Sequence, residues 1–94
     1  MDRQCERLAA VLREARAYLA RPGNCFAWSS WSNAVEALAD VDRMLAQLDG
    51  ERLPERMDMA VLFAPTGPIQ EVSVSSGWGE EFLALAARFD AALG

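Results

Sequence analysis

Neither histidine nor lysine occurs anywhere in the 94 residues, and all nine cationic side chains are arginine. Without imidazole there is no base to activate a serine or cysteine nucleophile and no nitrogen ligand for zinc. Without a side-chain amine there is no Schiff base and no lysine for a phosphate loop. Carboxylate, thiol, hydroxyl and guanidinium chemistry remain. Cysteine is scarce as well. Cys5 and Cys25 form no CxxC, which excludes a metal knuckle or a thioredoxin-like pair. They are either a regulatory disulfide or two reduced residues, with Cys5 continuing an apolar helix stripe and Cys25 lining a loop. The second reading is preferred, because free cysteine commonly acts as a small buried hydrophobe. Long apolar runs are missing: stretches such as Met59-Ala60-Val61-Leu62-Phe63-Ala64 fall far short of the roughly 20 residues needed to cross a bilayer. The first residues carry Asp2, Glu6 and Glu14 among their arginines and do not read as a secretory signal, so the expected address is cytoplasmic, with no membrane partner.

The composition is 52% hydrophobic and 24% charged with a net charge of -5, which is the globular range. Separate cores usually need about 100 to 150 residues each, so residues 1–94 are expected to form a single helical domain. Charge is uneven. Arg3, Arg7, Arg13, Arg16 and Arg21 outnumber the acids of the first segment, whereas the rest of the chain is strongly acidic. An acidic bulk repels phosphate backbones and argues against nucleic acid as a partner. The arginine-bearing helix would instead meet an acidic surface or neutralise its own fold.

Hydrophobic spacing predicts mostly helix. Met1, Cys5, Leu8, Leu12, Ala15 and Leu19 make one stripe, widened by Val11 and Tyr18, and the helix ends at Arg21-Pro22-Gly23-Asn24. After an aromatic connection the second helix begins at Ser30, Ser32 or Asn33, and Asn33 with Glu36 has the spacing of a capping box. Ala34, Leu38, Val41, Leu45 and Leu48 follow, flanked by Val35 and Met44, up to a stop at Gly50. Two such helices should pack as an antiparallel hairpin. Leu53, Met57, Ala60 or Val61, and Ala64 keep helical spacing behind Pro54, and Pro65-Thr66-Gly67-Pro68 ends that element. The segment Ile69 to Gly77 is ambiguous. Val72 and Val74 alternate with serines as a strand would, while the helical reading starts at Pro68, buries Ile69 and Val72 and stops at Gly77. A lone hairpin is marginal in water, which favours helices. The last helix has Glu80 and Glu81 in its first turn and buries Phe82, Leu85, Ala86 and Phe89, with Leu93 at one edge. The expected fold is all-α, a small bundle of four to five helices with an N-terminal antiparallel helical hairpin. The alternative is α+β with a β-hairpin at about 58–75.

No catalytic set, metal site or cofactor is expected. Glu36 and Asp40 share a helix face near Asp42 and could hold a divalent ion, but Arg43 is placed to pair with Asp40, and a solvated acidic face is the preferred reading. Glu80 and Glu81 are adjacent and diverge by about 100 degrees, which excludes an acid/base dyad between them. The serines Ser29, Ser30, Ser32, Ser73, Ser75 and Ser76 have no accompanying base and read as capping and turn residues. Gly67 and Gly77-Trp78-Gly79 match no phosphate-cradling motif. The aromatics are what remains. Phe26, Trp28 and Trp31 in the connection, with Phe63 and Trp78 at later turns, either seal the ends of the bundle or form a binding surface, because indole rings dominate interface energetics.

Two resemblances attach to these residues. Trp28-Ser29-Ser30-Trp31, then Leu62-Phe63-Ala64-Pro65-Thr66-Gly67-Pro68-Ile69-Gln70-Glu71, then Gly77-Trp78-Gly79-Glu80-Glu81-Phe82 resemble a group of small bacterial proteins to which no activity is attached. The resemblance covers most of residues 26 to 90 and implies a bacterial cytoplasmic protein. Ile69, Val72, small Ser73, Gly77 and Trp78, followed by Phe82 and Phe89, are similar to a helix-turn-helix unit, in which small residues at the bend let two helices approach closely. Its second helix carries Glu80, Glu81 and Asp90 against Arg88, which departs from a DNA-reading helix. The expected function is therefore a small acidic interaction or self-association module, with a protein partner or a homodimer meeting the aromatic and apolar surface. The alternative is a transcription-related module over residues 68–92, and an enzyme comes third.

Overall fold

The structure, a computed structural model, describes residues 3–65 and 67–94. Met1 and Asp2, at the head of the first expected stripe, and Thr66, in the expected turn, lie outside the described residues. Five helices follow one another: α1 (Arg3–Leu19), α2 (Ala34–Asp49), α3 (Arg56–Phe63), α4 (Pro68–Ser76) and α5 (Gly79–Leu93). Among the described residues there is no strand, which overturns the hairpin alternative at 58–75. Burial gives the reason. Ile69, Val72 and Ser73 are buried together while Val74 is 66% exposed. Strand alternation would have put Val72 and Val74 on one face, so the period is that of a helix.

α1 is the axis of the bundle. Cys5, Leu8, Val11, Leu12, Ala15 and Leu19 are buried as their spacing predicts, and Ala9 widens the stripe. α2 and α5 both pack against it. Both run antiparallel to α1. Arg13 and Arg16 reach Asp49 and Asp42, Glu14 pairs with Arg88, and the Gln4 amide donates to the carbonyls of Ala92 and Leu93. The arginines at 13 and 16 thus neutralise the chain's own acidic helix. These pairs are solvent-exposed, and such pairs are worth about 0–1 kcal/mol each, so they set register while apolar burial supplies the stability.

The start of α2 is the capping box that the sequence announces, with one shift. Asn33 Oδ1 accepts from the Glu36 N–H at 3.1 Å, but Glu36 Oε1 accepts from the N–H of Ser32 at 2.8 Å, not from that of Asn33. At the other end the left-handed residue is Glu51 (φ 58), not Gly50. Glu51 N–H donates to Leu48 O and Arg52 N–H to Gln47 O, the paired bonds of a Schellman stop. α4 ends in the same way with a glycine in place: Gly77 has φ 86, and Trp78 N–H donates to Ser73 O at 2.9 Å.

The connection between α1 and α2 is tied down along its length. Cys25 N–H donates to Ser76 Oγ (2.8 Å) and Ser29 Oγ donates to Pro68 O (3.3 Å), so the segment runs antiparallel along α4. Ser73, fully buried where α4 is crowded, turns its hydroxyl onto Gln70 O at 2.8 Å. Of the serines singled out in the sequence, Ser29, Ser73 and Ser76 thus have their hydroxyls on backbone. Cys5 lies in the first turn of α1 and Cys25 beyond its last. The stretch from Cys5 to Leu19 alone rises about 21 Å, three times the reach of a disulfide. The regulatory-disulfide reading is excluded by distance.

α3 closes the bundle through aromatic contact. Phe63 stacks on Phe89 with centroids 4.3 Å apart and lies 6.4 Å from Phe82. Met59 and Leu62 are buried on the same side. No helix among the described residues is long and apolar enough to cross a membrane.

Candidate interaction surface

The five aromatics expected to form a binding surface separate into three environments. Trp78 is 2% exposed, Trp31 and Phe63 are 5% exposed, Phe26 is half-buried against the core, and Trp28 is 76% exposed. As surface, then, the set reduces to Trp28 and the outer part of Phe26. The two buried indoles are inside because each N–H has an acceptor there. Trp78 Nε1 donates to Asn24 Oδ1 at 3.0 Å, and Asn24 Nδ2 donates to the Tyr18 and Leu19 carbonyls at the end of α1. Tyr18 stacks on Trp78 with centroids 4.9 Å apart, and the Arg21 guanidinium caps the Tyr18 ring at 4.5 Å.

Trp31 Nε1 donates to Asp40 Oδ2 at 2.7 Å, while Arg43 Nη2 donates to Asp40 Oδ1 at 2.6 Å. The pairing of Arg43 with Asp40 is the one expected from their spacing. Glu36 serves the cap, Asp40 holds an indole and a guanidinium, and Asp42 holds Arg16. No group of three or more potential ligands stands together among the described residues. The Trp31 indole N–H is the main cause that holds the Asp40 carboxyl below its ordinary value of 3.8; partial burial opposes it and Arg43 adds to it. A carboxyl lowered on folding contributes stability above its unfolded pKa, and that contribution is lost as pH falls through the folded pKa. Asp40→Asn keeps the shape and an acceptor for the indole but removes the charge. In urea titrations at stepped pH, the stability difference between native and Asp40→Asn chains is expected to hold from neutrality to just above 3.8 and to shrink below it. A difference that stays constant down the acid limb contradicts this assignment.

Exposed large apolar side chains stand singly on α2 (Val35), α4 (Val74) and α5 (Leu83), and two together on α3. Met57 and Val61, four apart on α3, face outward at 68% and 51% exposure, and Leu53, in the segment leading into the helix, is 49% exposed. This corrects the sequence reading of the third helix, whose core face is Met59, Leu62 and Phe63. A helix of eight residues that is apolar nearly all round can bury one side only, and the side carrying Phe63 has the larger area to bury. Sequence reasoning saw the stripe but not which way it points. The signal available was the presence of two competing apolar faces on one short element.

Beside this stripe lies a groove of about 340 Å³ between α2, α3 and the connection. Met44, Leu62, Val61, Pro54 and Pro68 form its apolar lining, with the edge of Trp31. Ser30, Asp40, Arg43, Gln47, Glu55 and Asp58 line it as well, so the groove is as polar as it is apolar and its charged boundary is formed by Asp40, Arg43, Glu55 and Asp58. A larger hollow of about 560 Å³ between α1 and α2 contains Cys5 and several acids, but Arg13 and Asp49 pair there and none of the indole rings lines it. Compared with known proteins, the chain matches no protein-family model, no curated protein and no solved structure.

Proposed function

We propose that this chain is a cytoplasmic protein–protein interaction module whose docking face is the α3 side of the bundle. The observation that carries the reading is the outward pair Met57 and Val61 on α3, with exposed Leu53 just before the helix, beside a groove whose lining is half apolar and half polar. Apolar residues scattered singly over a surface need no explanation, but two on one helix face, with a third in the segment leading into it and a hollow beside them, mark a place where burial is still to be gained. Trp28 and Phe26, on the neighbouring connection, are the aromatic part of the originally expected surface that remains accessible. The mechanism is burial of apolar area around a few anchors, with no chemical step.

The transcription reading has less support. α4, the left-handed Gly77 and α5 do form a helix-turn-helix in the local sense. The first turn of α5 presents Glu80 and Glu81, and Arg88 is paired with Glu14, so the helix offers phosphate no cation in its first turn.

The test is a comparative capture from cells. The native chain and a Met57→Glu/Val61→Glu chain are each tagged, verified as folded by their melting, and used to recover bound proteins. Light scattering on both reports self-association. Proteins or dimers present with the native chain and lost with the variant are the expected result. A native chain that is monomeric and recovers the same proteins as the variant overturns the reading.

A further inference from the structure

We infer that the groove beside α3 receives a cationic amphipathic helix of a partner protein, one that lays apolar residues on Met44, Val61 and Leu62 and sets arginine or lysine against Glu55 and Asp58. This rests on the interaction reading above and adds the partner's chemistry. The lining is half apolar, through Met44, Val61, Leu62 and the two prolines, and that half sets the first requirement. The charge of the boundary sets the second. Asp40 and Arg43 already satisfy each other at 2.6 Å. That leaves the exposed Glu55 and Asp58 as the net charge of the edge. An acidic segment would meet like charge there, and a purely apolar one would cover two carboxylates without giving them partners; both are penalised. A segment with cations along one side of an apolar face satisfies both requirements.

Length and identity follow from the same surface. α3 has eight residues, about 12 Å of helix, which seats roughly two turns of a partner through anchors spaced by three and four. A second copy of this chain does not meet the description. Its arginine-rich helix α1 turns its apolar side into the core, and Arg13 and Arg16 are held by Asp49 and Asp42. Pairing α3 with α3 across a two-fold axis would bring Glu55 and Asp58 of both copies to one interface, where like charges repel.

The methionines supply the probes. Met44 lines the groove, Met57 stands 68% exposed on the stripe, and Met59 is 1% exposed on the opposite side of the same helix. The full chain, labelled at its methionine methyl groups, is titrated in an NMR experiment with a synthetic leucine–arginine amphipathic helix of about 15 residues, and with its twin carrying glutamate for arginine. The cationic peptide is expected to move the Met44 and Met57 signals and leave Met59 in place, with the acidic twin silent. Glu55→Arg/Asp58→Arg is expected to weaken binding by about tenfold or more, while Glu80→Arg/Glu81→Arg, an equal charge change elsewhere, leaves it intact. If both peptides bind alike, or both charge variants weaken binding equally, the inference is overturned, while movement of Met44 and Met57 still supports the interaction reading. If neither peptide moves these signals, the inference also fails, and the comparative capture then decides the reading separately.

Discussion

Trp78→Ala is expected to destabilise the chain by about 3 to 5 kcal/mol, a large share of the 5–15 kcal/mol that holds a domain together. The ring is among the largest fully buried side chains and sits where three elements converge. Its removal leaves a void under Tyr18, whose ring loses its stacking partner, and strips Asn24 Oδ1 of the indole N–H that it accepts. Asn24 in turn holds the last carbonyls of α1, so the loss spreads from the α4–α5 turn to the end of the axial helix. Urea denaturation measures it. The chain expected is either unfolded in buffer or has a midpoint shifted far toward low denaturant. Combined with Asn24→Ala in a double-mutant cycle, the two substitutions should couple by about 0.5 to 3 kcal/mol, since each removes half of one hydrogen bond. Strict additivity would mean that the indole–amide contact does not stabilise the fold.

Gly67→Ala is expected to be the second most damaging change, at about 2 to 3 kcal/mol, the upper part of the range for overpacking. Its φ of -77 suits any residue, so the requirement is for space and not for conformation. A Cβ there would lie 2.4 Å from Val61 O and 2.8 Å from Ala64 O, and both are backbone atoms that cannot swing aside. The chain must open the α3–α4 corner, which also pulls on the Phe63 contact with Phe89. Gly50→Ala is the control. Its Cβ would meet Gln47 O and Ala46 O at 3.5 and 3.6 Å, ordinary contact distances, and φ is -88. Side-by-side melts should show a clear drop for the change at 67 and little or none at 50. Equal stability of the two variants would disprove the close approach.

The parts of this fold legible in the sequence are those governed by contacts between near neighbours. α1 could be read because Leu8, Leu12, Ala15 and Leu19 recur on one face and the opposite face is charged. The Asn33–Glu36 cap, whose partners are three apart, was one of three starts the sequence offered, beside Ser30 and Ser32. Helical identity for Ile69 to Ser76 rested on the cost of an isolated hairpin, a tertiary argument, and the left-handed Gly77 agrees with it. The fate of the indoles was not legible. Whether a tryptophan is buried depends on an acceptor for its N–H, and for Trp78 that acceptor is 54 residues away. Trp31 has its own acceptor nearer, at Asp40, but an aspartate on an acidic helix carries no mark of that use. The α3 stripe failed for another reason: when both faces of a short helix are apolar, periodicity gives the angle between them but not the direction of the core.

Stability of a doubly substituted chain is the most direct check that the outward face of α3 is left over from folding and free for contact. In Met57→Gln/Val61→Gln, exposed apolar groups become polar ones with no helix breaker introduced, and surface changes of this kind usually stay within about 0.5 kcal/mol. Urea denaturation is expected to give the native midpoint within that margin. A loss of about 2 kcal/mol or more would mean that Met57 and Val61 belong to the core, leaving no apolar surface on α3 for a partner to cover.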